Sequence, residues 1–184
     1  KVLGQHVRQA GSIVTPTFLR FDFNHFAPLT TDQLREMESI VYEQVLSNLP
    51  VNTTLMPIEE AKKTGAKALF DEKYGDEVRV LEIPGYSTEL CGGTHVKATG
   101  EIGVVKIIRE EGIGSGVRRI NAIVGQNALA AFQRFSYLSG TLMSMLGEDL
   151  DSVLNRVEDL LDEKKMLERK NRELQVKAAM SDIE

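Results

Sequence analysis

Residues 9–24 read QAGSIVTPTFLRFDFN, and this stretch predicts the first β-hairpin of the fold. Ile13 and Val14 lead into a turn at Pro16. From residue 19 to residue 23, apolar and charged residues alternate, so the apolar side chains share one face of a half-buried strand. The two runs therefore read as an antiparallel pair with one face against a core.

The segments that follow mix strands with few helices. An N-cap at Thr30, followed by apolar residues at helical spacing, predicts a helix that ends near Asn48. A short helix opens at Pro57, and strands are predicted over residues 51–56, 78–83, 86–90, 102–109 and 117–124. Because no regular βαβ alternation is present, this order favours an α+β fold with a largely antiparallel sheet and flanking helices.

The last third of the chain reads as helical. Residues 126–146 have a broad apolar face, and Gly147 interrupts the helix. From Leu150 the apolar spacing becomes heptad and continues over four repeats, which predicts long helices with coiled-coil character. The a positions are Leu150, Val157, Lys164, Asn171 and Ala178, and the d positions are Val153, Leu160, Leu167 and Leu174.

Three partners remain open for this heptad seam. They are a second chain, the helix of residues 126–146 folded back, and the surface of the chain's own domain. A seam this narrow favours helix–helix pairing over the wider stripe of a globular helix. We therefore expect a homo-oligomer that forms through residues 150–180.

Composition restricts the class of protein. The 184 residues carry 22 basic and 27 acidic side chains, a net charge of −5, whereas a protein that grips a duplex along its length usually has a basic surplus. Any RNA contact must therefore come from a local patch. The single cysteine excludes an internal disulfide and fits a cytoplasmic location. No apolar run approaches the ~20 residues of a membrane span, and no signal peptide is visible.

Residues 89–95 read ELCGGTH and hold the candidate chemistry. Cys91 and His95 are separated by two glycines and a threonine, and the glycines permit a tight turn that aims both side chains at one point. A thiolate and an imidazole suit Zn²⁺, although a site needs three or four ligands, and the spacing of His6 and His25 does not add them. The pair could instead be a cysteine nucleophile with its base, or a buried cysteine beside an ordinary histidine.

Residues 112–119 read GIGSGVRR and form a second candidate. A glycine-rich loop can expose backbone N–H groups to phosphate, and two arginines follow. The run lacks the Gly-Lys-Ser/Thr of a P-loop. A plain hairpin loop with one outward-pointing arginine is the simpler interpretation.

Several stretches resemble the editing domain of alanyl-tRNA synthetases. They are LGQHVRQAGSIVTPTFLRFDFNHF, GAKALFDEKYGDEVRVL and, above all, STELCGGTHVKATGEIG with GIGSGVRRINAIVG. The resemblance implies that residues 1–125 are an editing (aminoacyl-tRNA deacylase) domain. Residues 126–184 resemble the helical linker towards the family's C-terminal oligomerisation region.

The resemblance also implies a function. The family's editing domain hydrolyses the ester that joins serine or glycine to the tRNA for alanine, within an enzyme that ligates alanine to tRNA with ATP. Editing is needed because alanine lies between glycine and serine in size, and one pocket discriminates such small differences poorly. The implied partner is the acceptor end of tRNA(Ala). The alternatives are a free-standing trans-editing deacylase, against which the heptads argue, and a non-catalytic dimerisation or tRNA-binding module.

Two residues match the family's metal ligands. Cys91 and His95 correspond to one pair of zinc ligands, and the zinc would orient substrate or activate water. The family's other pair is an HxxxH motif on an upstream helix, which this sequence does not contain. We therefore expect half a zinc site, weak zinc binding and poor editing by this chain alone.

Five further residues are implied to contact substrate. Gln9 would face the editing pocket, where its amide can hydrogen-bond a serine hydroxyl. Thr94 and the backbone of Gly92 and Gly93 would line the same pocket. Arg118 would contact the tRNA end.

Overall fold

The computed structural model describes residues 1–68 and 75–181, and it confirms the α+β class. The chain divides into two compact units, Lys1–Ala130 and Ala131–Glu184. The strands are β1 Gln9–Val14, β2 Leu19–Asn24, β3 Asn52–Pro57, β4 Lys67–Ala68, β5 Glu77–Ile83, β6 Ser87–Leu90, β7 Val105–Gly114 and β8 Val117–Val124. The helices are α1 Thr31–Leu46, α2 Ile58–Lys63, α3 Gly125–Leu146 and α4 Leu150–Ser181, with a 3₁₀ turn at Thr99–Ile102.

The first sheet has the strand order β1-β2-β8-β7, and each neighbouring pair is antiparallel. Strand β2 pairs with β8 so that Phe21 lies opposite Ile120, which turns the apolar side chains of both strands to one face. Phe23, Ile120 and Leu29 form the buried core on this face, and Met37 of α1 packs against it. The alternation of residues 19–23 therefore sets the side of the sheet that α1 covers.

The second sheet has the order β3-β5-β6-β4, in which only the two-residue β4 runs parallel to its neighbour. Its core consists of Val78, Val80 and Leu90 with Ala61 of α2. The sequence predicted a largely antiparallel sheet, and the structure has two four-stranded sheets. The reason is that the strands between residues 52 and 90 pair among themselves, whereas β7 and β8 return to the N-terminal hairpin.

Helix α1 begins with a complete capping box. The hydroxyl of Thr30 accepts from the backbone N–H of Gln33, and the Gln33 side chain accepts from the backbone N–H of Thr30. On the same helix, Glu38 accepts from the backbone N–H of Ile107 at 2.7 Å. Strand β7 lies at the edge of its sheet, so no further strand pairs with its outer side. The carboxylate of Glu38 therefore accepts from an edge N–H that would otherwise lack a partner in the sheet.

The second unit contains most of α3 and all of α4. Asp149 caps α4 by accepting from the backbone N–H of Ser152 at 2.7 Å. In the part of the chain that the structure describes, α4 does not pack along the length of α3. The heptad residues Leu160, Leu167 and Leu174 are exposed to solvent. None of the helices in the described ranges combines the length and apolarity needed to cross a bilayer.

Candidate functional site

The candidate site lies where β6 ends. Leu90 is buried in the core of the second sheet, and Cys91 is the next residue. Backbone pairing continues one step past the strand, because the N–H of Cys91 donates to the carbonyl of Arg79 at 3.1 Å. Since side chains alternate along a strand, Cys91 is on the face that carries Glu89, opposite the buried Leu90.

The double-glycine bend brings the thiol and the imidazole to the same side of the loop. A Cβ atom built on Gly93 would lie 3.7 Å from the Sγ of Cys91 and 3.7 Å from the Cε1 of His95. The two side chains are therefore no further apart than roughly twice that distance, with glycine leaving the space between them open. The convergence of Cys91 and His95 on one point stays a prediction.

Arg79 holds the bend. Its guanidinium donates to the backbone carbonyls of Gly92, at 3.4 Å, and Gly93. It sits in the middle of β5, where its backbone pairs with β3, so the loop is tied to a rigid strand. This residue was not identified from the sequence, although its position one strand away from ELCGGTH was a usable signal.

The surroundings favour the neutral form of His95. Partial desolvation lowers the pKa of His95, and the positive charge of Arg79 lowers it further. A hydrogen bond with the backbone of Gly93 and the negative charge of Glu89 act in the opposite direction without cancelling the shift. A neutral imidazole is the form that coordinates a metal or accepts a proton, so the site is prepared for either role.

The donor set fits half of a zinc site. A thiol and an imidazole facing one open space are suitable donors for Zn²⁺, yet a stable site needs at least three protein ligands. Within residues 1–68 and 75–181, no group of three or more Cys, His, Asp or Glu side chains is placed to hold a metal ion. The other two histidines face each other, with the Nε2 of His6 3.0 Å from the Nδ1 of His25.

Gln9 and Arg118 lie on the first sheet and are not joined to the 91–95 loop by any contact that the structure shows. The side-chain amide of Gln9 donates to the Oγ of Ser12 at 3.0 Å, which leaves its carbonyl oxygen for a ligand hydroxyl. Arg118 forms a largely buried ion pair with Glu110, and this hydrogen bond raises the pKa of Arg118. Its charge is therefore mostly compensated within the sheet.

The glycine-rich run of residues 112–119 spans the end of β7, the turn at residues 115–116 and the start of β8. Gly116 has a φ of +68°, a conformation that favours glycine. The Nη1 of Arg118 lies over Gly112, where a side chain would collide with it. The glycines thus accommodate a hairpin and an arginine, and Arg118 points along the hairpin instead of outward.

One charged cluster on this sheet was missed by the sequence analysis. Arg119 donates to both carboxylate oxygens of Asp22, at 2.7 and 2.8 Å, and Asp22 is only 6 % exposed. Arg20 lies 3.6 Å from the same carboxylate. Because Asp22 and Arg119 are separated by 97 positions, only the strand register reveals this pair.

An open apolar cavity of about 450 Å³ lies between α1 and the first sheet. Its wall includes Phe21, Met37 and Ile120, with Tyr86 and Ser87 from the second sheet. None of the seven residues that the sequence assigned to the site lines this cavity. This apolar cavity and the Cys91 and His95 pair are therefore separate features of the first unit.

Comparison with known proteins places this arrangement in a class. Residues 78–121 match the family described as the threonyl and alanyl tRNA synthetase second additional domain. This range contains β5, β6, the 91–95 loop, β7 and half of β8, the part of the fold that carries the candidate site. The chain thus carries a domain that these synthetases share.

Three curated relatives that match nearly the whole chain are alanine–tRNA ligases. The chain is 49 % identical to the alanine–tRNA ligase of Fervidobacterium nodosum, over 96 % of this chain and 20 % of the relative. It is 46 % identical to that of Petrotoga mobilis, over 100 % and 21 %, and 51 % identical to that of Thermotoga maritima, over 92 % and 20 %. The chain belongs to the alanyl-tRNA synthetase family, and it spans about a fifth of the length of these curated relatives.

Proposed function

We propose that residues 1–125 are an editing domain, which hydrolyses the ester joining serine or glycine to the tRNA for alanine. The observation that carries this proposal is the pair of Cys91 and His95, which face one space across Gly93 at the end of β6. The match of residues 78–121 to a domain of threonyl and alanyl tRNA synthetases supports it. In the parent protein, this domain would act beside ATP-dependent ligation of alanine to tRNA.

The residues of this chain supply positioning and ligands. In the reaction, water attacks the carbonyl carbon, the bond to the ribose oxygen breaks, and the ribose oxygen takes the proton that the water gives up. The neutral form of His95 can offer a ring nitrogen as a ligand, while the hydrogen bonds from Arg79 position the loop. Gln9 would recognise the hydroxyl of a serine substrate through its carbonyl oxygen.

Zinc is the implied cofactor, and Cys91 and His95 are the residues that would hold it. When bound by these and further ligands, zinc would polarise the ester or lower the pKa of a water molecule. We expect this chain alone to bind zinc weakly. One tightly held zinc per purified molecule, measured by elemental analysis, would contradict this expectation.

A deacylation assay tests the proposal. Serine-charged tRNA(Ala) is incubated with zinc and either this chain or a version extended upstream by the corresponding segment of a full-length relative. We expect the extended version to release serine and Cys91→Ala to abolish the release. Ser136→Ala, at an exposed residue of α3, serves as the matched control and should retain activity. A zinc-loaded, extended parent that releases no serine would favour the non-catalytic module instead.

The second unit supports a separate proposal of self-association through residues 150–180. Helix α4 is 32 residues long, and its seam residues Leu160 and Leu167 are 39 % and 66 % exposed. Sedimentation should show an oligomer that Leu160→Ser with Leu167→Ser dissociates, while Asn155→Ser on the outer face leaves it intact. If the unsubstituted chain is a monomer at high concentration while α4 is still helical, this proposal is contradicted.

A further inference from the structure

Three rings of the first unit form a cluster that the proposed hydrolysis does not use. His6, His25 and Phe26 lie together near the end of β2. The ring planes of His6 and His25 differ by 25°, with centroids 5.2 Å apart, and those of His6 and Phe26 differ by 17°, with centroids 6.2 Å apart. We call this cluster the ring platform.

The two imidazoles lie side by side. Their closest nitrogens are 3.0 Å apart, and the centroid separation is close to this contact plus the two ring radii. A hydrogen bond between ring nitrogens also requires the bond to lie near both ring planes. The rings of His6 and His25 therefore lie edge to edge and together form one flat surface.

One side of the ring platform contacts Gly116, and the ring of Phe26 is exposed to solvent. The backbone N–H of His25 donates to the carbonyl of Gly116 at 3.0 Å, which fixes the chain between β2 and α1. The ring of Phe26 lies beside Gly116, where a Cβ would make an ordinary contact of 3.5 Å with its Cε1. Yet Phe26 is 88 % exposed, the most exposed of the large apolar side chains that the structure describes. An aromatic ring held in place and left in water is suited to a stacking partner.

Arg8 is the basic residue beside the platform. Arg20 lies 3.6 Å from the carboxylate of Asp22, and the Nζ of Lys1 lies over the ring of Tyr86, so neither is counted here. Arg8 is held next to His6 by hydrogen bonds from its guanidinium to the carbonyls of Gln5, at 2.6 Å, and Val7, at 3.0 Å. A guanidinium held beside the rings gives an RNA phosphate one point of contact.

We propose that the ring platform binds single-stranded RNA by stacking unpaired bases on Phe26 and the two imidazoles, with Arg8 near the phosphates. Flat rings beside basic residues are the common means of binding single-stranded nucleic acid. An apolar protein segment is the competing occupant, but two of the three rings are polar imidazoles. The inference rests on the proposed function, because that function supplies the single-stranded RNA end that the platform would hold.

The chain has no tryptophan, so Phe26→Trp introduces a single fluorescent probe at the platform. A single-stranded RNA heptamer ending in CCA should quench this fluorescence, whereas a heptamer of the same length with abasic sites should bind far more weakly. In a parallel anisotropy titration with labelled heptamer, Phe26→Ala should weaken binding by about 5- to 150-fold, the range that one stacked base accounts for. Tyr137→Ala, which removes another exposed ring, should change the affinity less than twofold.

Phe26→Leu separates stacking from apolar packing. It keeps an apolar side chain and removes the ring, so it should weaken binding as much as Phe26→Ala. Equal affinity for the abasic heptamer, or undiminished binding by Phe26→Leu, would overturn the proposal, and the latter would favour an apolar protein segment. Cys91→Ala should retain the quenching of Phe26→Trp. If the zinc-loaded, upstream-extended chain with Cys91 intact releases no serine while Phe26→Trp is still quenched by the heptamer, the proposed hydrolysis is refuted and the platform is not.

Discussion

Thr99 is expected to be a major anchor of the chain that leaves the candidate site. Its side chain is 3 % exposed, and its hydroxyl makes two hydrogen bonds to α1 and the segment that follows it. It donates to the carbonyl of Gln44 at 2.5 Å and accepts from the backbone N–H of Leu49 at 2.9 Å. The substitution Thr99→Val preserves the shape of the side chain and removes both bonds.

The loss in free energy of unfolding follows from the two groups that lose their partner, the carbonyl of Gln44 and the backbone N–H of Leu49. Each polar group that loses its hydrogen bond in a buried setting costs about 1–3 kcal/mol, and Leu49 is only partly buried, so its share falls at the lower end. We therefore expect Thr99→Val to lower the free energy of unfolding by about 2–4 kcal/mol. Thr99→Ser keeps the hydroxyl and loses one buried methyl, which costs only about 1 kcal/mol.

Urea unfolding followed by circular dichroism measures both variants, with the free energy taken by linear extrapolation. Because the chain has two compact units, the transition should be read from a probe in the first unit, such as the near-ultraviolet signal of Tyr42 and Tyr86. If Thr99→Val unfolds within 0.5 kcal/mol of the parent, or if Thr99→Ser is equally destabilised, the reasoning is refuted. The threshold of about 0.5 kcal/mol is the scatter expected of a neutral surface substitution.

Three other perturbations have clear expected outcomes. Asp22→Asn should destabilise the chain by roughly 1.5–3 kcal/mol at pH 7 because it removes the carboxylate that Arg119 bonds. The hydrogen bond from Arg119 lowers the pKa of Asp22 from its ordinary value of 3.8. The contribution of Asp22 to the free energy of unfolding is therefore complete at neutral pH and is lost as the pH falls through the folded-state pKa. The stability of Asp22→Asn should not show this loss on acid titration. Gly93→Ala should fold normally, since the added methyl makes only ordinary contacts. It should weaken cobalt binding because the methyl fills the space between the thiol of Cys91 and the imidazole of His95. Cobalt binding is measured by thiolate-to-metal absorption in the upstream-extended version. Arg79→Met should raise hydrogen exchange in the 91–95 loop at least tenfold while β6 stays protected, and unchanged exchange there would show that Arg79 does not hold the bend.

Much of the fold could be predicted because its signals are local. The hairpin of residues 9–24 follows from alternation within a few residues, and the capping box of α1 from Thr30 and Gln33. The start of α4 follows from Asp149 just after Gly147. Each of these patterns reports on residues that are neighbours in the chain, so no knowledge of the tertiary structure is needed.

The candidate site was predictable only in part. Cys91 and His95 lie within one turn of chain, and glycine at 93 was enough to infer that they face the same space. Their orienting residue, Arg79, is on a different strand, and its aim depends on how β5 pairs with its neighbours. The alternation of residues 19–23 places Asp22 on the face opposite the apolar side chains, but only the structure shows that Asp22 is buried there against Arg119.

The sequence by itself determined most of the strands and helices, the turn that joins a thiol to an imidazole, and the heptad spacing of α4. It did not give β4, and the strand predicted over residues 102–109 is in fact β7, which begins at Val105 and extends to Gly114. Tertiary structure alone decided that the strands divide into two sheets, that Arg118 bonds Glu110, and that His6 meets His25. The physical reason is the range of the interactions. Periodicity and caps act over one or two turns, whereas ion pairs and ring contacts depend on strand register, which is set by burying two apolar faces at once.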